Sequence, residues 1–125
     1  MKYNPQGLVY SPKIVKGKKA NASAHRIRQT DQKDFVSEWT NYPKSVIEIG
    51  SEFKPVHPTQ KPVPLFEYLI KTYTNEGDTV LDNCMGSGTT AVAAINTNRK
   101  YIGFEMDTAY CDIANKRIQD ILKIA

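Results

Sequence analysis

The feature that most constrains this chain is a strand, glycine loop, helix and strand compressed into Thr79–Glu105. Thr79-Val80-Leu81-Asp82 is a short apolar run that predicts a strand. Asn83-Cys84-Met85 leads into Gly86-Ser87-Gly88, a tight loop, and Thr89 to about Asn96 predicts a helix. Lys100 to Glu105 then predicts a second strand. Two strands joined by a helix at this spacing run parallel, with a right-handed crossover. The passage commits the region to α/β architecture, a partial Rossmann-like doubly wound parallel sheet.

The flanking residues extend the same grammar. Ser45-Val46-Ile47-Glu48-Ile49, ended by Gly50, reads as a strand. Pro62 to Tyr73 reads as a helix, with proline suited to its first turn. Leu65, Phe66, Leu69, Ile70 and Tyr73 follow the rhythm of one buried face, so Phe66 and Tyr73 are expected in the core. Asn75-Glu76-Gly77-Asp78 is a turn. Thr108 to Ile124 is a final helix with Tyr110, Ile113, Ala114, Ile118, Ile121 and Leu122 on one side. Few strands can be drawn from the chain, so a sheet edge is expected to be exposed, or covered by a second chain or a missing amino-terminal half.

Residues 1–45 keep neither the helical nor the alternating period and are expected to be irregular, in contrast to a folded subdomain over 46–125. Such a stretch is either a long functional loop or a severed piece of something larger. Charge divides the chain similarly. Met1–Val56 holds ten Lys/Arg against five Asp/Glu, and His57–Ala125 seven against eight. A basic segment either meets phosphate, releasing counterions, or is plain solvated surface. Lys13, Lys16, Lys18, Lys19, Arg26 and Arg28 cluster in this segment and are the candidates to meet phosphate on the first of these readings. No run of about 18 apolar residues occurs, which argues against a membrane helix. The first residues lack the apolar core of a signal peptide. Cys84 and Cys111 have no metal-binding spacing, so no metal is expected, and both fit a reducing, cytoplasmic setting.

Glycines between a strand and a helix let backbone approach a ligand closely, and a carboxylate ending the next strand can accept both hydroxyls of a ribose. Glu105 stands seventeen residues beyond Gly88 in that role. Together they describe an adenosine-containing cofactor. Two alternatives stay open on these residues alone: a plain tight turn, and a nicotinamide-dependent oxidoreductase, because Gly86-x-Gly88-x-x-Ala91 satisfies the relaxed dinucleotide pattern. A phosphate-binding P-loop is disfavoured, since no Lys follows the second glycine.

His57-Pro58-Thr59-Gln60-Lys61-Pro62, Asp82 to Thr90, and Tyr101-Ile102-Gly103-Phe104-Glu105-Met106-Asp107 together resemble three consecutive motifs of one family. It is the family of DNA adenine/cytosine amino-methyltransferases, in the beta-class order that places the catalytic motif first and the cofactor motifs last. The resemblance covers roughly His57 to Ile118. Asn4-Pro5-Gln6 and Tyr42-Pro43-x-Ser45-Val46 resemble, more weakly, the segment preceding those motifs. The resemblance implies an S-adenosylmethionine-dependent methyltransferase fold with S-adenosylmethionine as cofactor and double-stranded DNA as partner. It implies Asp82 near the methionine amino group, Gly86 and Gly88 in close backbone approach, and Ser87 and Thr89 donating around the methionine moiety. Glu105 would take the ribose hydroxyls and Met106 would pack on adenine. Thr59, Gln60 and Lys61 would close over the methionine carboxylate, with Lys61 as countercharge. His57 and Pro62 either join them or merely shape the turn.

Two departures matter. Asn83-Cys84 replaces the Pro-Phe that most members carry after the aspartate; Cys84 is read as packing. More seriously, amino methylation in this family uses an (Asp/Asn/Ser)-Pro-Pro-(Tyr/Phe/Trp) motif that holds the target amino group while the aromatic stacks on the flipped base. No two prolines are adjacent here, and Tyr10-Ser11-Pro12-Lys13 lacks the second. No catalytic residue is therefore assigned. The expectation is the carboxyl-terminal part of a bacterial or phage DNA amino-methyltransferase, of restriction-modification type, adenine-directed before cytosine-directed, and inactive alone. The rival is a cofactor- or DNA-binding remnant without turnover.

Overall fold

The structure is a computed structural model that describes residues 2–17, 33–51 and 60–123. In chain order its elements are β1 (Val9–Val15), β2 (Phe35–Thr40), α1 (Val63–Tyr73), β3 (Thr79–Asp82), α2 (Thr89–Asn96), β4 (Lys100–Gly103) and α3 (Thr108–Leu122). The chain divides into two compact units: Met1–Gln6 with Ser45–Ala125, and Gly7–Lys44.

The larger unit is built around α2. Thr89 through Ala94 are all buried, and the small side chains Ala91, Ala93 and Ala94 let neighbouring elements approach closely. α2 packs against α1, α3, β3 and β4. Ile70 joins Ala93 and Ala94 in the core, with Val63, Phe66, Val80 and Tyr101 partly buried against them. β3 and β4 pair in parallel, Thr79 opposite Lys100 through Asp82 opposite Gly103. Val80 and Tyr101 lie on the covered face of this pair. Leu81 and Ile102, opposed on the other face, remain 66% and 50% exposed.

Gly88 shows why the loop needs glycine. It caps α2 at φ +82, where L side chains are strained, and a Cβ there would lie 2.9 Å from Ala114 Cβ and 3.1 Å from Ala114 Cα. α3 thus docks where a side chain would otherwise stand. Asp107 caps α3, accepting from the Ala109 and Tyr110 amides. The amino-terminal residues fold with this unit: Asn4 donates its amide N–H to Thr72 O at 2.6 Å and its side chain to Thr74 O at 2.9 Å. The weak Asn4-Pro5-Gln6 resemblance therefore marks a clamp on the carboxyl end of α1.

The smaller unit corrects the expectation of irregular backbone over Val9–Val15 and Phe35–Thr40; residues 18–32 of that stretch lie outside the described residues. β1 and β2 form an antiparallel ribbon, Val9 opposite Thr40 and Val15 opposite Phe35, with a shift of register between Tyr10 and Lys13. Ser11 and Pro12 there face Glu38, two residues against one. A proline that cannot donate to the ladder is tolerated at such a bulge. The bulge also breaks the period of two that would have disclosed β1.

Other expectations change too. Ser45–Ile49 is not a strand; Val46 and Ile47 are exposed, and no described strand pairs with it. β-branched residues favour extended backbone, but without a neighbour the ladder has no partner. β4 ends at Gly103 rather than Glu105, although Phe104 N still donates to Asp82 O at 2.9 Å. Tyr73 is half exposed, tilted against Tyr3 with ring centroids 6.1 Å apart, and Leu69 and Leu122 are exposed. Ile124 lies outside the described residues.

Candidate cofactor site

Two hollows open at the carboxyl ends of β3 and β4. The first, about 310 Å³, is lined by Gln60, Lys61, Asp82, Gly86, Ser87, Thr89 and Glu105, all expected from the sequence, together with Phe66, Cys84, Met85, Thr90, Asp107 and Tyr110. The second, about 390 Å³, is lined by residues that include Asn83, Met85, Phe104, Glu105, Met106 and Cys111. Met85 and Glu105 belong to both, so the hollows share a wall.

Each side chain is placed by a local reason. Asp82 ends β3 and faces back into its own loop: Oδ1 accepts from the Cys84 amide at 3.0 Å, and Oδ2 takes the Thr90 hydroxyl. The strand end is thereby stapled to the first turn of α2. Glu105 does the same between the two loops. Its Oε2 accepts from Gly86 N at 2.8 Å, and its Oε1 from Met106 N and Asp107 N at 2.9 Å each. Three amide donors on one carboxylate fix its plane and stabilise its charge. Gly86, at φ +54, has nothing within 4 Å of where a Cβ would stand.

Sequence reasoning missed Arg117. From α3 its guanidinium donates to Ser87 O at 2.6 Å and Ser87 Oγ at 3.1 Å, and reaches Thr89 Oγ1 at 3.4 Å. Ser87 and Thr89 are both buried, so these are shielded, charge-assisted bonds to the loop backbone. A signal existed: Arg117 lies between Ala114 and Ile118, the buried positions of α3, where a charge needs a partner. Cys84 is corrected as well. It is exposed on the first hollow rather than packed.

Gly88 supports the loop without lining either hollow, and Met106, 97% exposed, lines the second. His57 and Thr59 lie outside the described residues, as do Lys18, Lys19, Arg26 and Arg28. Lys13 is exposed on β1 and Lys16 exposed just beyond it.

A family profile described as DNA methylase, of the N6/N4 type, matches residues 3–116. The chain belongs to the N6/N4 DNA methylase family. The chain is 52% identical over 66 residues to the orphan methyltransferase M.BamHII of Bacillus amyloliquefaciens, a match spanning 53% of this chain and 25% of that enzyme. It is 39% identical over 89 residues to the type II methyltransferase M2.DpnII of Streptococcus pneumoniae, spanning 71% and 32%. The crystal structure of the M1.HpyAVI–SAM complex superposes with a TM-score of 0.50 at 32% identity, over 89% of this chain and 63% of that one. The chain thus spans about a quarter to a third of the length of these curated relatives.

Proposed function

We propose that the chain binds S-adenosylmethionine across the two hollows and contributes the cofactor half of a DNA amino-methyltransferase. In this reading the described elements form part of a doubly wound parallel sheet. The observation that carries it is the shared wall: Glu105 borders both hollows, as the ribose stands between the methionine and adenine ends of the cofactor. Lys61, Ser87 and Thr89 would then hold the methionine end, with Asp82 toward its amino group. Thr59 and Gln60 would close over the carboxylate, and Met106 would cover adenine. The open space beside Gly86 fits a ligand passing against the loop. The family match supports this cofactor over a dinucleotide, and bound S-adenosylmethionine supplies a methyl group on a positively charged sulfur.

The acceptor is the exocyclic amino group of a DNA base, adenine before cytosine. The basic residues Lys13, Lys16, Lys18, Lys19, Arg26 and Arg28 would meet DNA, mostly at phosphate. Because these 125 residues hold no Pro-Pro pair, the groups that orient the base lie elsewhere, in further residues or a second chain. A second reading, cofactor or DNA binding without turnover, rests on the same missing motif. Purified chain should bind S-adenosylmethionine by calorimetry, and Glu105→Ala should weaken binding at least about tenfold, since hydrogen bonds to charged groups contribute roughly 1.5–3 kcal/mol each. Unchanged affinity would remove Glu105 from the site. The chain alone should transfer no labelled methyl to duplex DNA; transfer with host enzymes excluded would overturn the assignment of catalysis elsewhere.

A further inference from the structure

Opposed residues of an antiparallel pair share a face, and the ribbon β1–β2 has two faces of different chemistry. Tyr10 with Trp39, Lys13 with Ser37, and Val15 with Phe35 stand on one; Val9 with Thr40 and Ile14 with Val36 stand on the other. The bulge creates this division. Lys13 is three residues from Tyr10 and would point to the opposite face of a regular strand. The extra residue at Ser11-Pro12 restores the phase, so lysine and aromatics come to one side. Tyr10 and Trp39 meet edge to face with ring centroids 5.2 Å apart. They are 62% and 41% exposed, and Phe35 is 57% exposed.

We infer that this aromatic and basic face lies against DNA and stacks on its bases, beyond the phosphate contacts of the neighbouring lysines. The inference rests on DNA being the partner of this segment. Charge complementarity selects the occupant. Gly7–Lys44 carries eight Lys/Arg against three Asp/Glu, whereas the rest of the chain carries nine against ten. Exposed rings beside lysine suit a strand whose bases offer π-faces and whose phosphates need countercharge. A protein partner selects differently, since lysine is depleted from such interfaces. Among the paired residues the opposite face has Val9, Ile14 and Val36, no Lys or Arg, and Glu38 at its bulge, which repels phosphate. Among the paired residues, the aromatic side is therefore the one whose charge suits DNA.

Trp39 is the sole tryptophan, so wild-type emission reports this face without any substitution. Labelled DNA, duplex and single-stranded, is titrated with the full chain while anisotropy and tryptophan emission are followed together. Binding should quench Trp39 and shield it from acrylamide. Trp39→Ala should lower affinity about tenfold or more with the salt slope unchanged, because stacking releases no counterions. Trp39→Phe should keep most of the affinity, and Ile14→Ala all of it. Binding by anisotropy with Trp39 emission and acrylamide access unchanged would overturn base stacking while leaving phosphate contact standing. No binding to either DNA would overturn both. Trp39 already shielded in free protein, with a sedimentation mass of two chains, would assign the face to a second copy and overturn the inference.

Discussion

The two units differ in what holds their backbone. In Met1–Gln6 with Ser45–Ala125, loops are tied by carboxylates: Glu105 takes three amides, Asp107 caps α3, and Asp82 staples β3 to α2. Its core is contiguous around α2. In Gly7–Lys44 a two-stranded ribbon leaves Val9, Tyr10, Ile14, Phe35, Val36 and Trp39 exposed, and such ribbons are marginal in water without further packing. The first unit is nearly neutral and preorganised around concave space. The second is strongly basic and presents its side chains outward. A small-molecule site needs the former, since rigidity spares ordering cost on binding. A surface that reads a polyanion needs only charge and protruding contacts.

The largest test of this contrast uses equivalent glycines. Gly88→Ala places Cβ against Ala114 backbone at positive φ and should cost about 2–4 kcal/mol. Gly7 also has positive φ, but its Cβ would meet only the Asn41 side chain at 3.3 Å, so Gly7→Ala should cost about 1 kcal/mol. Urea melts followed by helical circular dichroism and by Trp39 emission separate the units. Gly88→Ala should move the first signal and Gly7→Ala the second. Both signals moving equally in both variants would show one cooperative unit and erase the contrast.

The same contrast explains what the sequence disclosed. α1, β3, α2 and β4 follow from local signals, because proline, glycine and apolar period agree with the packing that occurs. Asp82, Gly86, Ser87, Thr89 and Glu105 reach the first hollow for the same reason: the strand–loop–helix–strand passage fixes their place by chain connectivity, while Gln60 and Lys61 reach it from the entry to α1. The ribbon was not legible, since a bulge at Pro12 hides its alternation and its aromatics are exposed rather than patterned. Ser45–Ile49 failed in the opposite sense, having strand composition without a partner among the described residues. For Arg117 the helical pattern marked a charge that needs a partner, but not which one, because its target, the Ser87 carbonyl, is backbone and leaves no mark in sequence.

Arg117 offers the next test, of how far the first unit's preorganisation reaches. Arg117→Ala removes the donor to Ser87 O and Ser87 Oγ. Affinity for S-adenosylmethionine should fall about tenfold, the order of one charged hydrogen bond. Arg117→Lys should recover part of it, since lysine keeps the charge but not the planar fork. Calorimetry on both variants decides, and unchanged affinity in Arg117→Ala would reduce the residue to a packing role. In the ribbon, Lys13→Ala with Lys16→Ala should leave cofactor affinity alone. It should flatten the salt dependence of DNA binding by about one slope unit per lost phosphate contact. An unchanged slope would return these lysines to solvated surface.

The smallest effect concerns a lysine that serves the fold instead of DNA. Lys2 Nζ donates to both Asp78 carboxylate oxygens at 2.7 Å, and the Asn75 amide donates to Oδ2 at 2.8 Å. These bonds, the Lys2 one foremost, hold the Asp78 carboxyl below the ordinary carboxylate range. The sign follows from linkage: a group more acidic in the folded state adds stability above its unfolded value, about pH 3.9. That stability is lost as pH falls through the lower folded value. The pair is solvent-exposed, so its contribution is small and screened by salt. Lys2→Met should raise the Asp78 titration midpoint toward the ordinary value, read from its carboxyl carbon by NMR. Raising salt on wild type should move it the same way by less. A midpoint unmoved by Lys2→Met would show that the Asn75 amide and the Arg99 charge set it without Lys2, and that Lys2, like the ribbon lysines, is available to a polyanion.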